Sequence, residues 1–233
     1  GYIPTEILLE RTSNALHSMN RMERYAGHFY NWYDTRTLEP LDPKYISTVD
    51  SGNLAGHLLT LKQGLLALEE APVVNSRLFP GLKDTLEVLM EKAENKDLFQ
   101  SFSAQLAAAE TKEWKTIVSV RNHLQELAGS AESIRLAIDQ ASEASWWINA
   151  LLKQIREAQG DLYETAPWLQ LNDFPARFQS LENMISRIMT LHELANIEET
   201  ILPVIHGLTE DEIPEEEKKW LETLRKLVIE TER

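Results

Sequence analysis

The 233-residue chain contains no cysteine. Disulfide staples and thiolate metal sites are therefore excluded, and a reducing compartment is permitted. Cations are in the minority: 23 Lys and Arg stand against 37 Asp and Glu, a formal charge of −14. That balance argues against a nucleic-acid groove or an anionic membrane surface, both of which select for Lys and Arg. It suits a neutral partner such as a sugar. No run of about 18 apolar residues occurs, so no direct membrane insertion is expected. No basic region followed by an apolar core marks a signal peptide near Gly1 to Glu10. The opening Gly-Tyr-Ile-Pro has no initiator methionine, which predicts a piece of something longer.

Chemical signatures are equally sparse. His192-Glu193 opens like a zinc-protease motif, but the second histidine is missing. No histidine has a glutamate three residues before it, which removes the carboxylate–histidine di-iron pattern. No glycine-rich phosphate loop is present, so neither a metal nor a cofactor is expected. Gly52 and Gly56, four apart, predict close helix packing rather than phosphate binding. The acidic run Glu210-Asp-Glu-Ile-Pro-Glu-Glu-Glu217 predicts a solvated helix start.

What is abundant is helical periodicity. Leu8, Thr12, Ala15, Met19 and Met22 step by four and three, as do Leu54, Leu58, Leu61, Leu65 and Leu68. Phe99, Phe102, Leu106 and Ala109 repeat the pattern, followed by Ile117, Val120, Leu124 and Leu127. The longest run is Ile134, Ile138, Ala141, Ser145, Ile148, Leu152 and Ile155; Phe174 to Ile188 and Trp220 to Leu227 add two more. Each set puts an apolar stripe on one helix face. Turn chemistry at Pro72, Pro80-Gly81, Gly129-Ser130, Gly160-Asp161, Pro167, Pro203 and Gly207 predicts the breaks, with Asp173 as a cap for a helix near Phe174. The fold class that follows is all-α: eight or nine helices in stacked antiparallel hairpins, with no large sheet.

One segment departs from this. From about Tyr25 to Ser51 there is no helical stripe, and Pro40 and Pro43 break any regular element. Five of the twelve Trp and Tyr residues of the chain fall there: Tyr25, Tyr30, Trp32, Tyr33 and Tyr45. Disordered linkers are poor in aromatics, so an ordered and functional loop is expected. The organisation is thus helix, aromatic loop and helix over residues 1–71, then a helical array over 72–233. A sugar presents apolar C–H faces, which pack on Trp or Tyr rings, and a hydroxyl rim, which needs fixed donors and acceptors. Trp32, Tyr33, Asp34 and Arg36, with Asp50 and Asn53 beyond, supply both kinds. Two readings stay open: Trp32 and Tyr33 as core anchors with Asp34 and Arg36 as a local pair, or all six as sugar contacts or support for a cleft. Trp146-Trp147 is expected to place one ring in the core and the other at an interface.

The stretch Gly27-His-Phe-Tyr-Asn-Trp-Tyr-Asp-Thr-Arg-Thr-Leu-Glu-Pro-Leu-Asp-Pro-Lys-Tyr-Ile-Ser-Thr-Val-Asp-Ser-Gly-Asn-Leu-Ala-Gly-His-Leu58, with Met22-Glu-Arg-Tyr before it and Leu59-Thr-Leu-Lys-Gln-Gly-Leu65 after it, closely resembles a signature of bacterial cyclic β-1,2-glucan synthases. The resemblance covers roughly residues 1 to 70. It implies a very large inner-membrane parent with three activities: a glucosyltransferase using UDP-glucose, a glucoamylase-like module that closes the glucan by transglycosylation in an (α/α) barrel, and a phosphorylase-like module. The matching segment belongs to the start of the central region. On this resemblance the chain is a soluble fragment on the cytoplasmic side, partnered by β-1,2-glucan and the remainder of the parent polypeptide. It is either a barrel portion or an adjoining bundle. Glycosidic chemistry needs two carboxylates at about 5–9.5 Å. Asp34, Glu39 and Asp50 are available but unpaired by spacing, so no catalytic residue is assigned and the fragment alone is expected to be inactive. The alternative is a helical scaffold or partner-docking module with no sugar binding of its own.

Overall fold

The computed structural model describes residues 4–75, 77–171, 174–210 and 213–231. Among them the protein is all-α, with ten α-helices and a single two-stranded ribbon. The described chain divides into two compact units. The first is Thr5–Glu69 and the second begins at Glu70.

The first unit holds α1 (Thr5–Arg21), a ribbon of β1 (Arg24–Tyr25) and β2 (His28–Phe29), a long loop, and α2 (Thr48–Glu69). In α2 the stripe Leu54, Leu58, Leu61, Leu65 and Leu68 is half-buried, as the spacing predicts. In α1, Leu8, Thr12 and Met19 are half-buried while Ala15 is exposed. Neither helix contains a fully buried residue. Leu59, 67% exposed, and Leu66 lie outside the half-buried stripe, so α2 is apolar on more than one side. Gly52 and Gly56 are not points of close approach: nothing lies within 4 Å of where a Cβ would stand on either.

The second unit contains α3 (Leu78–Lys92), α4 (Gln100–Thr111), α5 (Ile117–Ala137), α6 (Glu143–Thr165), α7 (Gln179–Ser186), α8 (Leu191–Ala195), α9 (Ile197–Glu210) and α10 (Glu215–Glu230). Helix α6 packs on both α3 and α5, α4 touches both α3 and α5, and α9 pairs with α10. The stripes Phe99 to Ala109 and Ile117 to Leu127 are buried residue for residue. Trp168 is buried too, and its indole N–H donates to the Ile185 carbonyl at 3.1 Å. Thr116 caps α5 by accepting from the Ser119 amide. Thr190 and Glu193 form a capping box at α8, so the Glu193 of the apparent protease motif is a cap. The Thr190 amide, and then Arg187, hold the Glu193 carboxyl below the usual glutamate range.

Several expected boundaries move. Gly129-Ser130 lies inside α5, Gly160-Asp161 inside α6, and Pro203 with Gly207 inside α9. An isolated glycine costs a helix only about 1 kcal/mol relative to alanine, which tertiary packing overrides. Conversely, the run from Ile134 to Ile155 is two helices. Ile138 is the extended C-cap of α5, and the Asp139 carboxylate accepts from the Ala141 amide to form a turn before α6. The apolar phase carries across that turn, which hides it in the sequence. The expected helix from Phe174 becomes a 3-10 turn at Ala176–Phe178 leading into α7; its expected cap, Asp173, lies outside the described residues. Trp147 packs against the core while Trp146 is exposed, the two rings meeting edge-on at 4.6 Å. Glu215, Glu216 and Glu217 occupy the first turn of α10, where the helix dipole favours them. No helix among the described residues is long and apolar enough to cross a membrane.

Candidate functional site

The aromatic loop is built from two consecutive tight turns. The first joins β1 to β2, pairing Tyr25 with His28. Its corner residues Ala26 and Gly27 have φ of 49° and 87°, the double left-handed corner that suits the twist of a two-residue hairpin. The Arg24 guanidinium sits 4.8 Å from the Phe29 ring centre and donates to the Met19 carbonyl and the Asn20 amide oxygen. This pins the ribbon to the end of α1.

The second turn is held by Asp34. Its Oδ1 accepts from the amides of Arg36 at 2.8 Å and Thr37 at 3.0 Å, the local turn that aspartate favours. These two backbone bonds, Thr37 first, hold the Asp34 carboxyl below the usual aspartate range. The Asp34 amide donates to the Glu39 carbonyl and the Leu41 amide to the Trp32 carbonyl, so residues 32–41 form a short bridge-paired loop. Leu38 closes it at φ 62°.

Tyr33 ties the two turns together. Its hydroxyl donates to the Glu23 carbonyl at 2.7 Å and accepts from the Tyr30 amide at 2.8 Å. Its ring meets Phe29 and Tyr30 edge-on. The loop then reaches α2 through Ser47, whose hydroxyl accepts from the Asp50 amide, an N-cap that places Asp50 in the first helical turn.

Between the loop and the start of α2 lies a cleft of about 720 Å³, within the range of small-ligand pockets, about 300–1,000 Å³. The loop contributes Arg24, His28, Phe29, Tyr30, Asn31 and Trp32; α2 and its cap contribute Ser47, Asp50, Ser51, Leu54 and Leu58. Trp32 is 59% exposed, so its ring is open to solvent at the cleft. Of the six residues expected to meet or support sugar, the structure brings Trp32 and Asp50 to this cleft. Tyr33 and Asp34 are half-buried and engaged in the loop's own hydrogen bonds. Arg36 is a loose ion pair with Asp34 at 3.9 Å with its side chain 89% exposed, and Asn53 is exposed on α2; neither lines the cleft. His28 and Arg24 were not singled out from the sequence. Only the short Tyr25-Ala-Gly-His28 turn pointed to them.

The polar groups at the cleft fall into two kinds. Ser47, Ser51 and Arg24 are engaged with backbone or neighbouring side chains. The side chains of Asp50, Asn31 and His28 have no hydrogen-bond or ionic partner among the described residues. Asp50 is the one carboxylate among the described residues that line the cleft.

No family model matches the chain. Over 92 residues, 39% of its length, it is 40% identical to the cyclic beta-(1,2)-glucan synthase NdvB of Rhizobium meliloti (strain 1021). That match spans only 3% of the synthase, so the chain corresponds to a small part of that protein. The identity supports a family relationship over part of the chain.

Proposed function

We propose that this chain is a segment of a cyclic β-1,2-glucan synthase, a carbohydrate-active glycosyltransferase and transglycosylase, and that it supplies architecture and glucan contacts rather than bond-making groups. The observation that carries this reading is the 40% identity over 92 residues to a protein of that name. Residues 1–71 form the part that carries the family signature, helix, aromatic loop and helix, and residues 72–233 form a helical array. Trp32, Tyr33, Asp34, Arg36, Asp50 and Asn53 serve as glucan contacts or as support for the cleft. The remainder of the parent polypeptide is the other partner. UDP-glucose is used by a different module of the parent, which holds this segment on the cytoplasmic side of a bacterial inner membrane.

On this reading the isolated segment is catalytically inactive. The test is incubation of the chain with linear β-1,2-glucan. Neither cyclic product nor shortened chains are expected, and either one overturns the inert assignment. Replacing Trp32, Asp34 and Arg36 together by alanine in the full synthase is expected to lower glucan turnover. Unchanged turnover in a folded variant sinks the contact role. The scaffold reading would then stand, and the exposed leucines of α2 and exposed Trp146 favour it as surfaces for other protein.

A further inference from the structure

We infer that the cleft between the aromatic loop and the first turns of α2 is a subsite for a short, uncharged gluco-oligosaccharide, with Trp32 as its stacking wall and Asp50, Asn31 and His28 as its hydroxyl-reading groups. This rests on the glucan-handling role proposed above and sorts that role's residues into contacts and supports.

The argument is one of hydrogen-bonding capacity. The Tyr33 hydroxyl both donates and accepts within the loop, and the first oxygen of Asp34 accepts two backbone amides. Moving either group onto a ligand would undo the loop that presents Trp32. They are positioning residues. Asp50, Asn31 and His28 line the same cleft and their side chains have no partner among the described residues, so their capacity is available. Together they offer an acceptor-only carboxylate, an amide with both donors and acceptor, and an imidazole with one of each. A sugar hydroxyl needs both a donor and an acceptor, and this set provides them beside an aromatic face.

Charge narrows the ligand class. Arg24 is the one Lys or Arg among the described residues that line the cleft, and its guanidinium is engaged with Met19 and Asn20. Hydrogen bonds to those neutral groups leave its positive charge in place, so Arg24 and Asp50 balance, one cation to one anion. A pyrophosphate or uronate finds no surplus of cations there, whereas a neutral polyol needs none. The cleft thus favours glucan over a nucleotide sugar.

The experiment is calorimetric titration of the whole 233-residue chain with a linear β-1,2-linked glucotetraose, and separately with UDP-glucose. The tetrasaccharide is expected to bind and UDP-glucose not to compete. Trp32→Ala and Asp50→Ala are each expected to weaken binding at least tenfold. Glu10→Ala and Gln63→Ala, both at exposed sites outside the cleft, are expected to change it less than twofold. Asp50→Asn, which keeps the shape of the first turn, separates loss of the charge from loss of helix structure, and circular dichroism checks each fold. Three results overturn the inference: no tetrasaccharide binding at 10 mM ligand, binding indifferent to both Trp32 and Asp50, or tighter binding of UDP-glucose. None of these touches turnover in the full synthase, so the subsite can fail while the broader assignment survives.

Discussion

Every α-helix from α3 to α10 contains at least one buried side chain, and between Thr5 and Glu69 no residue is buried. The difference does not follow from apolar content. Helix α2 carries seven leucines in its 22 residues, yet all seven stay at least partly exposed. In the second unit, stripes from α3, α4, α5 and α6 interlock into one continuous core with Trp168 and Phe178. Burial of a leucine or isoleucine there is worth about 1.5–3 kcal/mol each. In the first unit Leu58, Leu61, Leu65 and Leu66 of α2 line an apolar groove with Leu16. What organises that unit is instead its loop, through Tyr33, Asp34 and Ser47. One unit is held by packing and the other largely by directed hydrogen bonds.

The sharpest way to break this contrast is core truncation. Leu127→Ala in α5 is expected to cost about 3–5 kcal/mol, whereas Leu59→Ala in α2 should stay within about 0.5 kcal/mol. Urea unfolding of both variants checks it, and equal losses would mean that α2 is buried in solution. Tyr33→Phe comes next. It removes a hydroxyl that serves two backbone partners, with an expected cost of about 1–2 kcal/mol, read as faster amide exchange at Tyr30 with the second unit unaffected. Thr190→Ala, which deletes half of the α8 capping box, should cost about 1 kcal/mol, or roughly 2–4 °C in melting temperature. Gly56→Ala has the opposite sign: with open space at the Cβ, a gain of about 0.5–1 kcal/mol is expected from helix propensity.

The smallest effect concerns pH. Asp34 titrates below the usual aspartate range because the Thr37 and Arg36 amides stabilise its carboxylate. A depressed folded-state pKa means the contribution is present above the unfolded value and is lost as pH falls through the folded one. Loop resonances of Thr37 and Leu38 should therefore shift on acidification below the ordinary aspartate range. In Asp34→Asn that transition should vanish; if it persists, another group controls the loop.

The helical part of the fold was legible where side-chain period alone decides it. Phe102, Leu106 and Ala109 are spaced by the helix turn, and each is buried. It was less legible where packing overrules local preference, as at Gly129, Gly160 and Pro203, which read as stops and sit inside helices. The candidate site divides in the same way. Proline and aromatic content marked the loop. Which of its polar groups remain available depends on the loop's own hydrogen bonds, and these bring together residues ten or more apart, such as Glu23 with Tyr33 and Asn31 with Tyr45. Two local signals were present all the same: Asp34-Thr-Arg-Thr37 has the form of an aspartate turn, and Ser47-Thr-Val-Asp50 that of a helix cap.

Ala26 and Leu38, the two non-glycine residues with positive φ among those described, stand at the two corners of the aromatic loop. Such conformations cost on the order of 1–3 kcal/mol each and persist only where the surroundings fix them. Their presence means the loop's conformational entropy has already been surrendered during folding. A ligand arriving at Trp32 would meet a surface that needs no further ordering, so that little of its contact energy would be diverted into freezing the chain. The strained corners thereby connect backbone geometry to affinity: relaxing Leu38 to glycine should leave every cleft side chain in place and still weaken binding of the oligosaccharide proposed for the cleft.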